Sequence, residues 1–514
     1  MHIKKIILQN FKKYRMLPMP FNEDVNILVG DNESGKSTIL QAIDLVIRAS
    51  SSKIEELGID KLMNNEAIDE FLSGERKFEN LPEIVVELYL SEDPEEITGT
   101  NNSYEEYCSG ISLSCRADER FSRQIKEYFL EGNEGIPFEY YEIAFETFAG
   151  SPYTRRSNYL KGLFVENSNV GNSYSLNEYI RNIFDVTLER DKQIELKQKY
   201  RTHKDVFVSS VMNDYQLLED GYTFSLKNSV RNGIESDLSI SDRGVALENK
   251  GTGLQCFIKT DLALSKKENI DVILLEEPEN HLSYTNTLKL IEKIKTATNQ
   301  LFVTTHSDLI CTRLDLRKCF LLNSSSCSFT SLKFIPEETA DFFIKAPDNK
   351  MLQFCLSAKT LLVEGDAEYI LMEKMFNKTL GKPLKDSNIG IISVDGLCFK
   401  RYLDIAKIIG MRVAIVTDND KDYQVKIDEK YAEYKNDNVG VFADADNSRY
   451  TFEVCLYQDN KQLCDKLFSE GRRTLTVQDY MLNNKADVAF ALADSMEDIE
   501  VPGYIKDALI WIDA

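Results

Sequence analysis

The chain has 514 residues, of which 43% are hydrophobic and 28% are charged, and its formal net charge is −23. This length exceeds what a single hydrophobic core supports and this composition excludes a disordered chain, so we expect two or three globular domains. The acidity leaves two interpretations: the partner is not nucleic acid, or the acids are concentrated in metal sites and outer faces while one surface stays basic.

Apolar runs predict the elements of the first 310 residues. The first 45 residues predict two strands, a loop and a helix in the runs HIKKIILQNF, VNILVG and STILQAIDLVIRA. Further strands are predicted for IVVELYL at 84–90 and for ISLSCRA from Ile111. Residues 157–203 are helical and charged in pattern, and strand character returns near 222–228. The runs DVILLEEPE (271–279) and QLFVTTHS (300–307) are short and continuous, which is typical of buried parallel strands.

A second region of alternating strands and helices follows a polar stretch. Residues 333–350 contain two prolines and many charges, which indicates a domain boundary. Beyond it the chain reads KTLLVEGD, a helix from Ala367, NIGIISVDG, a helix from Phe399, and RVAIVTDND. This βαβαβ order predicts a second parallel sheet.

The cysteines and the hydropathy of the chain indicate the cellular compartment in which it is expected. The ten cysteines are scattered and none forms a CxxC pair, which argues against a zinc ribbon and against a disulfide framework. The N-terminus has no uninterrupted apolar run for a signal peptide, and no run of about 18 apolar residues predicts a membrane span. We therefore expect a cytoplasmic protein with reduced thiols.

One segment has a local excess of basic residues. Residues 151–204 contain ten Lys or Arg against six Asp or Glu. This excess favours a basic surface that could approach a polyanion. An ordinary solvated helical face would have the same composition, so both interpretations stay open.

A phosphate-binding motif lies between the second of the first two strands and the helix that follows. Residues 30–37 read GDNESGKS, which fits GxxxxGK[ST] in the strand–loop–helix context that this motif requires. Gly30 and Gly35 allow the tight turn, Lys36 is expected to reach the outer phosphates, and Ser37 is expected to hold Mg²⁺. The same turn also contains the candidate nucleotide-binding residues Asn32 and Thr38.

Two further strand ends supply acids and a histidine. The run VILLEEPENHL ends in Glu276, a candidate Mg²⁺ ligand, and Glu277, a candidate for orienting or deprotonating the attacking water. The run FVTTHS ends in His306, and the chain has only four histidines. Taken singly, the acids could be a solvated strand end and the histidine a core residue. Their order along the chain favours a nucleotide site.

At this point the chain resembles the ABC-type ATPase heads of SMC and RecF proteins. LQNFKKY is similar to the opening strand and turn of these heads, EEPENHL to their Walker B and D-loop, and His306 to their switch histidine. The signature loop departs from the pattern: residues 250–255 read KGTGLQ, and Gly251 and Gly253 would present backbone N–H groups to a γ-phosphate across a dimer. Glu276 stands where Asp is usual, and no Q-loop glutamine is placed.

A second set of acids follows the strands of the C-terminal region. LLVEGDAE places Glu364 at a strand end and Glu368 at the start of the next helix, and VAIVTDND places Asp418 and Asp420 at the end of another strand. Two acids at i and i+2 on a strand end would lie on the same side, and with Glu364 they could surround one or two divalent ions. Taken separately, each group would be a turn with helix-capping acids.

This second set resembles a Toprim domain. A Toprim domain that follows an ABC ATPase in one chain is similar to the OLD (overcoming lysogenization defect) family, and EGxxE, Thr417 before the DxD, and a downstream acid with a lysine also match. The downstream residues are assigned to Glu453 and Lys485, although Lys485 could be an ordinary lysine at a helix start. The resemblance covers most of the chain and leaves residues 95–225 poorly matched.

The resemblance implies an α/β fold in four parts. It places an ABC ATPase N-terminal part at 1–150, a mainly helical insertion for dimerisation at 151–220, an ABC ATPase C-terminal part at 221–345, and a Toprim nuclease domain with a Rossmann-like parallel sheet at 350–514. ABC heads work in pairs, so a homodimer or a larger homo-oligomer is expected.

The implied activity is two-metal cleavage of DNA under the control of ATP. Mg²⁺ or Mn²⁺ would be held by Glu364, Glu368, Asp418, Asp420 and Glu453, and Lys485 would neutralise charge on the phosphorane-like state. Gabija-type and retron-associated OLD nucleases act in phage defence, which implies a partner: a helicase, or a reverse transcriptase with its RNA/DNA product.

Two other functions remain open from the sequence. The first is a RecF- or SMC-like DNA-binding ATPase in repair, with a Toprim domain that binds without cutting. The second is a topoisomerase or primase, which would need a cleavage-domain tyrosine with DNA-gate domains, or a zinc ribbon that the missing CxxC argues against.

Overall fold

The computed structural model describes residues 1–154, 157, 159–167, 173–212, 226, 233–265, 270–346, 350–394, 396, 398–469 and 475–514. The chain forms two compact units: Met1–Ile310 with Lys318–Thr330, and Cys311–Arg317 with Ser331–Ala514. In the part of the chain that the structure describes, no helix is both long and apolar enough to cross a membrane.

The strands are numbered along the chain. They are β1 (Ile3–Phe11), β2 (Tyr14–Pro20), β3 (Val25–Val29), β4 (Ile84–Leu90), β5 (Thr98–Gly99), β6 (Cys108–Ala117), β7 (Tyr141–Thr147), β8 (Gly162–Glu166), β9 (Ser241–Asp242), β10 (Val245–Ala246), β11 (Val272–Glu276), β12 (Gln300–Thr304), β13 (Cys319–Asn323), β14 (Ser328–Ser331), β15 (Lys359–Val363), β16 (Ile389–Ser393), β17 (Arg412–Val416) and β18 (Val439–Phe442).

The α-helices are numbered in the same way. They are α1 (Lys36–Arg48), α2 (Ser51–Leu57), α3 (Ile59–Leu62), α4 (Asn65–Ser73), α5 (Ser122–Leu130), α6 (Ser173–Thr187), α7 (Arg190–Ser210), α8 (Ile234–Asp237), α9 (Thr252–Ser265), α10 (Tyr284–Lys295), α11 (Asp308–Arg313), α12 (Glu337–Lys345), α13 (Met351–Leu356), α14 (Asp366–Leu380), α15 (Phe399–Ile409), α16 (Phe452–Asp459), α17 (Lys461–Phe468), α18 (Val477–Asn483), α19 (Lys485–Asp494) and α20 (Gly503–Asp513).

The first unit contains two large sheets. In the antiparallel sheet the strand order is β2-β1-β4-β6-β5, with β7 paired to β6. The other sheet has the order β14-β13-β3-β12-β11-β8, and its strands from β13 to β8 pair in parallel. Every residue of β3, β11 and β12 is buried, because these apolar runs are covered on both faces. Their carboxyl ends therefore meet at one edge of the sheet, where the predicted nucleotide-binding residues follow.

The stretch predicted to be helical from residue 157 contains a strand. β8 pairs with β11, and Leu163 and Val165 are buried in that pairing. Three apolar residues within a charged stretch carry little periodic signal, so the sequence pattern did not reveal this strand. Among the described residues of this stretch, α-helix follows in α6 and α7. The strand predicted near 222–228 lies outside the described residues, apart from residue 226.

The second unit is built around a parallel sheet in the order β16-β15-β17-β18. Helices α14, α16, α19 and α20 contribute buried residues to the core of this unit. The predicted βαβαβ order is confirmed, with the helix predicted from Phe399 beginning there and the one predicted from Ala367 beginning one residue earlier. The α/β fold, with an ATPase-type core and a C-terminal parallel sheet, is thus confirmed.

Candidate nucleotide and carboxylate centres

The phosphate-binding turn joins β3 to α1, and its glycines are required by space. Gly35 has a φ of +97°, and a side chain there would collide with the ring hydroxyl of Tyr14. A Cβ atom at Gly30 would lie 2.7 Å from the carbonyl oxygen of Leu322. Both positions therefore need glycine for the turn to form.

Lys36 is held inside this turn. Its ammonium donates to the carbonyl oxygens of Gly30 and Asp31, at 2.8 and 2.9 Å. Burial lowers the pKa of Lys36, and the nearby carboxylates, Glu277 first among them, oppose that shift. Among the other predicted residues, Asn32 and Ser37 are exposed and Thr38 is half-buried. The turn thus presents a cation and polar groups at the carboxyl edge of the sheet.

The acids after β11 and the histidine after β12 meet at the same edge. Glu276 is buried at the end of β11, and Glu277 follows with a φ of +43°. The carboxylate of Glu277 accepts from the side-chain amide of Asn280 at 2.7 Å and lies 3.6 Å from His306 Nε2. Burial lowers the pKa of His306, and Lys36 lowers it further. A neutral imidazole beside Glu277 could hold a water or a phosphate oxygen by hydrogen bonding.

A third acid of this run was not assigned from the sequence. The Oε1 atom of Glu279 accepts from the hydroxyl of Thr305 at 2.5 Å and from the backbone N–H of His306 at 3.0 Å. Its Oε2 atom has no partner among the described residues, and burial raises the pKa of this carboxyl. Glu279 thus ties the turn after β11 to the end of β12 and fixes the backbone of the histidine. In the sequence, this contact could have been found from the third acid of EEPE and the threonine hydroxyls of TTHS, which follow neighbouring strands.

The glycines of the predicted signature loop lie at the start of α9. Gly251 borders open space, and a side chain at Gly253 would collide with the backbone carbonyl of His281. His281 has a φ of +60° and belongs to the turn that follows the acids of β11. The loop is therefore in backbone contact with the turn that carries Glu277.

A buried amide lies at the end of the edge strand β8. The register of β8 and β11 sets Glu166 opposite Glu276, and Asn167 comes next. Asn167 is fully buried, and neither its Oδ1 nor its Nδ2 has a hydrogen-bond partner among the described residues. Since a buried amide without a partner is costly, Asn167 is a further candidate for the nucleotide site.

In the second unit, one carboxylate joins the ends of two strands. Glu364 directly follows β15, and its Oε2 atom accepts from the hydroxyl of Thr417 at 3.0 Å and from the backbone N–H of Asp418 at 3.2 Å. The Oδ1 atom of Asp418 accepts from the backbone N–H of Phe452 at 2.8 Å, at the start of α16. The structure therefore brings Glu364 and Asp418 together at the carboxyl edge of this sheet.

Burial and mutual repulsion govern the charges of this cluster. Burial, with the charges of Glu364 and Glu368, raises the pKa of Asp418 to about 8. Burial, with the charges of Glu453 and Glu364, raises the pKa of Glu368 to about 7. Like charges in a poorly solvated site disfavour ionisation, so mutual repulsion among these acids adds to the effect of burial on both pKa values.

Glu453 and Lys485, the two downstream residues assigned from the sequence, form an ion pair. The ammonium of Lys485 lies 3.0 Å from Glu453 Oε1, with 51% and 2% of the two side chains exposed. The Oε2 atom of Glu453 is buried and has no partner among the described residues. Burial opposes the charge on Lys485, but Glu453 raises the pKa of its ammonium. Both residues thus lie at the same cluster as Asp418 and Glu368.

Asp420 is placed differently from Asp418. β17 ends at Val416, so both acids lie in the turn that follows the strand and not on the strand itself. Asp420 has a φ of +48°, and its carboxylate is half-exposed and 3.1 Å from the Lys426 ammonium. The amide of Asn419 enforces this turn by donating to backbone carbonyls of residues 444 and 446, at 2.7 and 3.1 Å.

The donor set fits a hard divalent cation in its chemistry. The cluster offers carboxylate oxygens, one of them buried and unpartnered on Glu453, and two acids whose pKa values are raised by burial. In the described residues, however, no three Asp, Glu, His or Cys side chains stand in a geometry that would hold a metal ion. Side-chain rotations would be needed to gather the oxygens around an ion.

Two domain families match this chain. The AAA ATPase domain matches residues 1–162, and the TOPRIM domain of overcoming lysogenization defect protein-like sequences matches residues 356–420. The second match contains Glu364, Glu368, Asp418 and Asp420.

Individual relatives are distant. A DNA replication and repair protein RecF of Exiguobacterium sp. is 40% identical over 53 residues, which are 10% of this chain and 14% of the relative, so the chain spans only a small part of the curated relatives it matches. The SMC head domain from Thermotoga maritima covers 64% of this chain and 99% of its own, with a TM-score of 0.30 and 18% identity. The C-terminal region of the Burkholderia pseudomallei OLD protein covers 30% and 97%, with a TM-score of 0.25 and 20% identity.

Proposed function

We propose that this chain, which has the ATPase–Toprim architecture of the OLD family, is an ATP-hydrolysing, divalent-metal-dependent DNA endonuclease. The observation that carries the proposal is the cluster of Glu364, Glu368, Asp418 and Glu453 with Lys485 at one edge of a parallel sheet. Carboxylates in such a cluster bind Mg²⁺ or Mn²⁺, and a neighbouring lysine can neutralise a phosphate in the transition state.

In the nucleotide centre, the cationic and N–H groups bind phosphate, and the acids bind the metal ion and the attacking water. Lys36 and the backbone of the turn bind the outer phosphates of ATP, while Ser37 and Glu276 would hold the Mg²⁺ that accompanies the nucleotide. Glu277 orients or deprotonates the attacking water, and His306 contacts the γ-phosphate. The signature loop, with Gly251 and Gly253, would contact the nucleotide of a second copy.

In the carboxylate centre, Glu364, Glu368, Asp418, Asp420 and Glu453 would hold one or two divalent ions. Such ions would activate a water and stabilise the leaving oxygen of the phosphodiester. Thr417 and the backbone N–H of Asp418 orient Glu364 by their hydrogen bonds. Lys485, held by Glu453, donates to the phosphate that carries the developing negative charge.

Assembly is proposed to use the insertion at residues 151–220. Helix α7 has no buried residue along its 21 positions, and it exposes Ile194, Val206 and Phe207. Exposed apolar side chains on an otherwise charged helix favour packing against a second copy. A homodimer or larger homo-oligomer would also complete the paired nucleotide sites. A role in phage defence, with a helicase or a reverse transcriptase and its RNA/DNA product as partner, belongs to the same proposal.

A second function is supported by one observation. Since no described group of side chains is already arranged around an ion, the second unit could bind DNA without cutting it. The chain would then be a RecF- or SMC-like DNA-binding ATPase in repair, and its acids would be structural.

Plasmid cleavage distinguishes the two functions. Purified protein is incubated with supercoiled plasmid and Mg²⁺ or Mn²⁺, with and without ATP, and compared with Glu364→Ala and Lys36→Ala. We expect metal-dependent nicking or linearisation that Glu364→Ala abolishes and Lys36→Ala makes insensitive to ATP. The matched control is Glu373→Ala, an exposed acid on α14, which should cut as the wild type does. Absence of cleavage under every condition, or cleavage by Glu364→Ala at the wild-type rate, contradicts the nuclease.

A further inference from the structure

The turn that carries Asp420 also fixes the direction of the next segment. Asp420 and Lys421 have φ values of +48° and +70°, two consecutive left-handed residues without a glycine. The side chain of Asn419 stabilises both, since its Oδ1 accepts from the N–H of Lys421 at 2.9 Å while its Nδ2 donates to residue 444. Unfavourable backbone of this kind persists where surrounding contacts enforce it, often at functional sites.

A π-helical segment, Gln424–Glu429, comes directly after this turn. π-helical turns are rare and occur frequently at functional sites, because they change the faces on which the following side chains lie. At the end of the segment come Lys430 and Tyr431. Besides burial, the charges of Glu364, Lys426, Asp420 and Lys400 act on the ammonium of Lys430, in that order, so this ammonium lies near both predicted metal-binding acids and near two other lysines.

Lys430 is a half-buried cation without a direct partner. It has neither an ion pair nor a side-chain hydrogen bond within the described part of the chain, and its ammonium lies 5.0 Å from the ring of Tyr431. Burial lowers the pKa of Lys430, and Glu364 opposes that shift. A lysine that is partly desolvated and makes no direct ion pair among the described residues is suited to an anionic ligand.

Tyr431 gives an independent indication at the same place. Its side chain is fully buried, and its hydroxyl has no hydrogen-bond partner among the described residues. Burial raises the pKa of Tyr431, and the charge of Glu364 raises it further, so the phenol stays neutral and can donate. A buried donor without a partner next to an acid of the cluster indicates a polar ligand that the chain itself does not supply.

The cations of the predicted basic segment are placed differently. Four of its lysines pair with acids, two of them within the segment and two in α8: Lys192 with Glu189 (3.3 Å), Lys199 with Glu195 (2.5 Å), Lys197 with Glu235 (2.5 Å) and Lys204 with Asp237 (3.8 Å). Arg155 and Arg156 lie outside the described residues. The paired lysines offer a polyanion less charge than an unpaired lysine beside the acid cluster does.

We propose that Lys430 binds the scissile phosphate of a DNA strand at the carboxylate centre, as a second cation besides Lys485, with the hydroxyl of Tyr431 as a neighbouring donor. The proposal rests on the proposed nuclease function and names a residue that holds its substrate. The ammonium of a half-buried lysine can bind one oxygen of the phosphate as a point charge. The acids would hold the metal ions that contact the same phosphate.

The test uses Lys430→Ala, Lys430→Gln and Lys430→Arg in the full-length chain. The matched control is Lys435→Ala, an exposed lysine of the same segment that pairs with Asp428 at 2.7 Å. Cleavage of plasmid and of bis(p-nitrophenyl) phosphate is measured in Mn²⁺. We expect both rates to fall about 10²-fold in the Ala and Gln variants, a partial recovery in the Arg variant, and no change in the control. Equal rates in Lys430→Gln and wild type on both substrates overturn the proposal.

Binding of a labelled DNA duplex in Ca²⁺, measured against salt concentration, separates this proposal from the nuclease itself. The loss of one phosphate contact should lower affinity and reduce the slope of log K against log salt by about 0.9. If the wild type binds DNA but cuts neither substrate, the proposed nuclease function is wrong. The difference in salt dependence between the wild type and the Lys430 variants then decides whether Lys430 contacts a phosphate. If the wild type does not bind DNA, both proposals are wrong.

Discussion

The two centres share one architecture and differ in charge balance. Each places acids at the carboxyl ends of parallel strands. In the nucleotide centre, Lys36 lies among the acids: burial has the largest effect on its pKa, and Glu277 is the first of the carboxylates that oppose this effect. In the carboxylate centre, Lys485 pairs with Glu453, and burial raises the pKa of Asp418 to about 8.

This difference indicates what each centre requires from outside. A site with its own buried cation is prepared for an anion, such as the phosphates of a nucleotide. A site in which buried acids repel one another is prepared for imported cations. The same sheet edge therefore supports two chemistries, and the balance of charge around it decides which one.

The largest expected effect tests Glu277, the acid beside the imidazole of His306 in the nucleotide centre. Replacing Glu277 with Gln keeps the size of the side chain and removes its negative charge. We expect ATP hydrolysis to fall about 10²- to 10³-fold while ATP binding is retained, because a general base contributes on this scale. Phosphate release and binding of a fluorescent ATP analogue measure the two. Glu292→Gln, on the exposed side of α10, is the control, and hydrolysis by Glu277→Gln within a few-fold of wild type would contradict the assignment.

A second effect concerns stability and tests the carboxylate centre. Folding raises the pKa of Asp418 to about 8 and that of Glu368 to about 7, so the folded state binds more protons than the unfolded state between about pH 4 and 8. Without divalent metal, stability should therefore fall as the pH rises through this window. Mn²⁺ should restore several degrees of Tm near pH 8, since it replaces the lost protons.

Thermal unfolding at pH 5, 6.5 and 8, with EDTA or Mn²⁺, measures this effect. Asp418→Asn should flatten the pH dependence and reduce the metal effect, whereas Glu373→Gln, an exposed acid of α14, should change neither. The explanation is wrong if the EDTA sample is as stable at pH 8 as at pH 5.

The smallest effect tests a positioning residue of the nucleotide centre. Glu279 fixes the backbone N–H of His306 and the hydroxyl of Thr305. Glu279→Gln should lower the rate of ATP hydrolysis about tenfold, since the amide can keep only part of these bonds. The KM for ATP should change little, because Glu279 makes no contact with the phosphate-binding turn in the hydrogen bonds it forms. A normal rate in Glu279→Gln would show that the histidine does not need this support.

Both centres could be predicted from the sequence because their motifs are contiguous. The phosphate-binding turn is specified by eight adjacent residues, and the acids follow apolar runs whose strand character is strong. Since parallel strands end at one edge, the order of the strands was enough to place Glu364 and Asp418 together. Their meeting with Glu453 and Lys485 needed the resemblance, because α16 and α19 are distant in the chain.

Other features depend on contacts between distant residues. β8 is recognisable only from its pairing with β11, and Glu279 matters because β12 ends beside it. The direction of Asp420 depends on Asn419 reaching residues 444 and 446. The sequence did not indicate a role for Lys430 either, because the surroundings of this residue depend on the π-helical segment before it.

The contact between Gly253 and the carbonyl of His281 has a mechanical consequence. Here one main chain rests directly on another, with no side chain between them to absorb a displacement. If the signature loop contacts the nucleotide of a second copy, as proposed, a displacement of this loop would act directly on the turn that carries Glu277. A methyl group at position 253 would collide with this carbonyl, so Gly253→Ala would have to displace either the signature loop or the turn that carries Glu277.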